Sequence, residues 1–126
     1  MKKTLFIAIA AMVAFGFAGC KIKPKAIVNV VVTDKHGVKQ VGQEVCLFSS
    51  SNWQAGESFR KPAFKERSEK TNDEGVATFE FSSIDFDLGR KATFYFAIFD
   101  AAGNLLDKEP RELRSGQSYE VQLVIR

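Results

Sequence analysis

Residues 26–33, Ala-Ile-Val-Asn-Val-Val-Val-Thr, place Val28, Val30 and Val32 on one face of a β-branched run too short for a helix, which predicts a first strand. Asp34-Lys35-His36-Gly37 predicts a turn with Gly37 at positive φ, and residues 38–42 predict a hairpin or bulged connection. Val45-Cys46-Leu47-Phe48 predicts a second strand that is apolar on both faces, so that one face needs a cover. Residues 49–62 show no period and are rich in Ser, Gly and Pro, which predicts the longest loop of the chain. Residues 64–70 alternate charges and predict a weak, exposed strand; residues 71–75 (Thr-Asn-Asp-Glu-Gly) predict a tight turn. In the strand that follows, residues 76–81, Ala77, Phe79 and Phe81 point one way.

Turn residues surround Ile84, Phe86 and Leu88, and residues 91–99 then form an apolar strand with aromatic side chains on both faces, the pattern of a central strand. After a turn at 100–104, Leu105 and Leu106 predict a short edge strand that Pro110 breaks. Residues 118–125 close the chain with Tyr119, Val121, Leu123 and Ile125 on one face. About seven short strands separated by turns, with no amphipathic helix after residue 20, predict an all-β fold, a single seven-stranded antiparallel β-sandwich over residues 26–126. An eight-stranded barrel is disfavoured, because the loop leaves too little chain for closure.

The start of the chain follows a different pattern. Met1-Lys2-Lys3 is followed by an uncharged, mostly apolar run over residues 5–18, too short to span a bilayer before Lys21, Lys23 and Lys25 begin. It reads as a secretory signal over residues 1–19. Phe17-Ala18-Gly19-Cys20 resembles the lipobox of bacterial lipoproteins, with Phe17 in place of the usual Leu. The resemblance implies that Cys20 becomes the first residue and carries diacylglycerol and an N-acyl chain; several acyl chains hold a protein on a bilayer far better than one. Lys21 stands where such proteins carry Asp for inner-membrane retention, which implies the outer membrane. Residues 20–25 form a short basic tether with Pro24, either solvated or lying near anionic head groups.

Removing residues 1–19 leaves 126 − 19 = 107 residues, one small domain that keeps nine of the twelve phenylalanines, Trp53, Tyr95 and Tyr119. Its formal charge falls from +3 to +1, since Lys2 and Lys3 are lost. Nucleic-acid binding, which needs a dense basic surface, is not expected.

Val28 to Val32 with Asp34-Lys35-His36-Gly37 and Gly42-Gln43-Glu44-Val45-Cys46-Leu47, together with Thr71-Asn72-Asp73-Glu74-Gly75-Val76-Ala77-Thr78-Phe79, resemble transthyretin-like sandwiches. That group includes carboxypeptidase regulatory-like domains and the B-type repeats of surface adhesins. The resemblance implies fold, not activity. Immunoglobulin-like sandwiches share the general pattern, but their Cys…Trp…Cys spacing is absent. The transthyretin-like hydrolases use several histidines and a C-terminal tetrad, whereas this chain has His36 alone and ends Val124-Ile125-Arg126. The isopeptide bond of adhesin repeats would lack an acceptor, because residues 119–125 contain no Asn.

No catalytic or metal-binding set is expected: His36 sits in a turn, and Asp34, Asp73, Glu74, Asp100 and Asp107 are scattered singly over turns. With Cys20 acylated, Cys46 has no internal disulfide partner, and it reads as a buried thiol or as one that bridges two chains. The remaining candidates are Trp53, Phe59, Arg60 and Phe64 in the long loop, with Lys61 beside them. These residues either close the end of their own core or contact an envelope protein or a glycan. The sequence therefore predicts a membrane-tethered, non-catalytic binding or structural module, with no cofactor beyond its acyl chains and with the oligomeric state open.

Overall fold

The computed structural model describes residues 26–82 and 91–126; the expected signal sequence, Cys20 and the expected tether lie outside them, as do Ile84, Phe86 and Leu88 with the turn expected there. Seven strands form two sheets: β1 (Ala26–Asp34), β2 (Glu44–Ser49), β3 (Arg67–Lys70), β4 (Val76–Phe81), β5 (Lys91–Phe99), β6 (Leu105–Arg114) and β7 (Gln117–Ile125). The order is β4-β1-β7 in the three-stranded sheet and β3-β2-β5-β6 in the four-stranded one. An immunoglobulin constant-type sandwich pairs its first strand with its second, which this grouping does not do.

Alternation decides the core. Val28, Val30, Val32, Ala77, Phe79, Phe81, Val121 and Leu123 point inward from the first sheet and meet Val45, Leu47, Phe94, Phe96, Ile98 and Leu113 of the second. Phe79 meets Phe96 edge to face at 5.4 Å between centroids, and Phe81 meets Phe94 at 4.9 Å. These pairs join the sheets and set their relative position: the start of β1, opposite Phe81, lies at the same end as Phe94.

Three expectations are corrected. The sandwich is not wholly antiparallel, because β1 pairs with β7 in parallel, Val28 opposite Tyr119 and Val32 opposite Leu123. β1 and β2 do not form a hairpin. They belong to different sheets, and the chain between them closes only a local loop through a bridge from Thr33 to Lys39. Finally, Pro110 does not end β6, which runs on to Arg114. Pro110 stands opposite Tyr95 on an edge strand, so its missing N–H falls on the open side, where no ladder bond is lost.

Side chains close the flanks between the sheets. The Asp107 carboxylate accepts the Val124 N–H of β7 at 2.8 Å and the Lys108 N–H at 2.9 Å, and the Tyr119 hydroxyl accepts the Arg114 N–H at 2.7 Å. On the other flank Arg67 donates to the Glu80 carbonyl at 2.9 Å while its guanidinium lies 4.7 Å from the Phe81 ring centroid. Backbone groups that would otherwise be open edges are thus occupied.

The 71–75 turn is held from two sides. Thr71, buried, accepts the Gln43 N–H on its hydroxyl and donates to the Gln40 carbonyl. Gly75 has φ +75°, and a Cβ there would lie 2.9 Å from Lys39 Cβ and 3.2 Å from the Val32 carbonyl oxygen. Gly75→Ala is expected to lower stability by about 1–3 kcal/mol in denaturant titrations. Gly116→Ala, with similar φ but nothing within 4 Å, should cost less.

Candidate functional site

Over β2 and β5 the outward face of the four-stranded sheet is apolar as well. Cys46 and Phe48 from β2, with Tyr95, Ala97 and Phe99 from β5, form a second buried layer under the segment that links β2 to β3. That segment is the cover which the doubly apolar β2 requires. It is more structured than the predicted loop: α1 (Ser50–Gln54) is followed by 3-10 turns at Glu57–Phe59 and Pro62–Phe64. The Ser49 hydroxyl accepts the Asn52 N–H at 3.3 Å and starts the helical turn.

Trp53 points inward and is 2% exposed. It stacks on Tyr95 at 5.0 Å and 10° and meets Phe48 edge to face at 5.2 Å. Arg60 reaches back to it: the guanidinium carbon lies 5.1 Å from the indole centroid, and Nε donates to the Trp53 carbonyl at 2.8 Å. Of the four loop residues singled out from the sequence, Trp53 is thus occupied by its own protein, and Arg60 is partly committed to holding it. Phe59 and Phe64 are placed differently. They pair edge to face at 5.3 Å and remain 42% and 47% exposed.

Beside them Glu57, Arg60 and Lys61 line a groove of about 190 Å³ with Asn104 and Leu105 from the β5–β6 turn. The Asp100 carboxylate shapes that turn, accepting the Ala102 and Asn104 N–H groups and the Asn104 side-chain amide. The Asn104 N–H is the largest influence holding the Asp100 carboxyl below its ordinary pKa, against desolvation. Leu105 is 40% exposed. Among the described residues, ion pairs within 4.0 Å join Lys65 to Glu44 and Arg114 to Glu112, so neither Arg60 nor Lys61 is neutralised by one. Glu57, Asn104 and Leu105 were not foreseen as neighbours of Arg60 and Lys61: the turn that supplies two of them lies more than forty residues away in sequence.

Cys46 is buried and free. A thiol enclosed this way is out of reach of a second chain. Burial, with help from the Glu44 carboxylate and against Lys65, pushes its pKa from 9.0 to about 11. The unfolded thiol loses its proton first as pH rises, so stability conferred by the protonated buried thiol is complete below about pH 9 and declines toward pH 11. Denaturant midpoints are expected to fall more steeply over that window in the wild type than in Cys46→Val.

Among the described residues no group of three or more His, Cys, Asp or Glu side chains is placed to hold a metal ion, and no helix is long and apolar enough to cross a membrane. No protein-family model matches the chain, and no curated protein matches it. Four solved chains match in fold. One is the Bacillus anthracis TIE protein, with a TM-score of 0.53 and 13% identity over 80% of this chain. This chain corresponds to 16% of that protein's length. At that identity the likeness speaks for the β-sandwich fold alone.

Proposed function

We propose that the protein is a lipid-anchored cell-envelope module of transthyretin-like type that binds without catalysis, tethered through Cys20 and making contact through the Phe59–Phe64 face. The observation that carries the reading is the contrast within one segment. Trp53 is buried to seal the outer aromatic layer, while Phe59 and Phe64, six and eleven residues further on, stay 42% and 47% exposed in the segment that carries Arg60 and Lys61. Exposed aromatic side chains grouped with cations are the composition of contact hot spots. The Ala18-Gly19-Cys20 triplet and the short basic stretch after it support the tether, and the lysine after the cysteine favours the outer membrane. The 71–79 motif and the separation of β1 from β2 into different sheets support the transthyretin-like reading over the immunoglobulin-like one.

Two measurements test it. Cells fed a fatty-acid probe should label the wild type and not Cys20→Ala; an unlabelled wild type would remove the anchor. A photo-crosslinking residue at position 59 or 64, in cells, should give discrete adducts that the same residue at Gln122, exposed on the outer face of the other sheet, does not. Equal or absent cross-linking at all three positions would remove the contact face.

A further inference from the structure

We propose that the groove beside the Phe59–Phe64 pair holds one carboxylate-bearing pyranose residue of an acidic glycan. This rests on the reading of that face as the contact surface. The groove's chemistry is mixed in a way that suits a sugar acid. Lys61, exposed and without an ion pair among the described residues, and the part of the Arg60 guanidinium not bonded to Trp53 supply cationic donors for a carboxylate. Glu57 adds an acceptor, and the Asn104 side chain adds a carbonyl oxygen, one N–H of its amide being given to Asp100. Ring hydroxyls donate as well as accept, so they can use these groups, whereas a run of peptide carboxylates would meet Glu57 as a like charge. Leu105, 40% exposed, offers apolar surface for the C–H face of a ring.

Size points the same way. About 190 Å³ is below the roughly 300–1,000 Å³ of pockets that enclose a drug-sized molecule, and it is too small for a helix about 10–12 Å wide. Position argues against lipid head groups as the source of the anion. Five residues separate Cys20 from Ala26, a reach of about 20 Å at full extension. Ala26 lies level with Phe94, whereas Asn104 and Leu105 follow Phe99 at the far end of β5, about five residues or roughly 17 Å further along. A tether at Cys20 therefore leaves from the end of the sandwich opposite the groove.

The carboxylate could come from a uronic acid or from the lactyl ether of a muramyl sugar. The test is calorimetry on the detergent-solubilised full-length mature protein with four probes: hexagalacturonate, a stem-free N-acetylglucosamine–N-acetylmuramate oligomer, neutral chitohexaose, and hexaglutamate. Saturable binding of the first or the second is expected, and which one binds identifies the source. Chitohexaose and hexaglutamate should bind about tenfold more weakly or not at all, and Lys61→Gln should lose about fivefold or more, because a charge-assisted hydrogen bond disappears. No binding by either acidic sugar, equal binding of chitohexaose or hexaglutamate, or an unaffected Lys61→Gln would overturn the proposal. Cross-linking from positions 59 and 64 separates the two failures: adducts that persist leave the contact face standing without the sugar, and their absence removes both.

Discussion

Replacing Trp53 with alanine is expected to lower stability by about 3–5 kcal/mol, the range for truncating a buried large aromatic. The side chain is 2% exposed and touches Tyr95, Phe48 and Arg60, so its loss empties the middle of the outer layer. The Arg60 bond to the Trp53 carbonyl is a backbone contact and survives, which leaves the cover attached but unfilled. Because Cys46 lies in the same layer, a thiol reagent that does not reach it in the wild type should react with it in Trp53→Ala under native conditions. Trp53 is the only tryptophan, so its own emission gives a direct check: blue-shifted and poorly quenched in the folded wild type. A Trp53→Ala melt like that of the wild type, with quenchable emission from the wild type, would mean that the indole faces solvent and that the outer layer is wrongly built.

The faces of the strands were legible because a strand's period of two leaves a plain mark: Val28, Val30, Val32, Ala77, Phe79 and Phe81 all lie where alternation puts them. The need for a cover over β2 was legible for the same reason, since Cys46 and Phe48 are apolar on the face opposite Val45 and Leu47. Pairing was less legible. That β7 lies parallel to β1 is settled by how two sheets close around one core, and no local feature of residues 117–125 signals it. Pro110 predicts a break in β6, and the charges that the strand carries at Asp107, Glu109 and Arg111 fall on its inner face. At an edge those charges remain half-buried, and Asp107 is used to latch β7.

The candidate site was half legible. A Ser-rich stretch with one Trp, two Phe and two cations marks where contact chemistry is concentrated, but it has no period to say which ring turns inward. Trp53 goes in because α1 places it over Tyr95, and only the packing of β5 supplies that partner. Likewise the far wall of the groove, Asn104 and Leu105, arrives through the β5–β6 register, which residues 49–64 do not encode.

The inner core should be as unforgiving as the outer layer, because Phe79 and Phe96 form one of the ring pairs through which the two sheets touch. Both are fully enclosed, at 1% and 0% exposure, and they meet at 5.4 Å edge to face. Phe79→Ala and Phe96→Ala are each expected to cost about 3–5 kcal/mol. Against a total of about 5–15 kcal/mol for a domain, either change leaves the protein marginal at 25 °C. The two rings share one contact, so the double variant should lose less than the sum, with a coupling of about 0.5–1.5 kcal/mol from the aromatic pair. Lys35→Ala, on an exposed turn, should stay within about 0.5 kcal/mol of the wild type and serves as the control. Urea titrations of the four proteins provide the cycle. Strict additivity would mean that the rings do not touch across the sheets, and wild-type midpoints for both single variants would mean that the sandwich is closed by other residues.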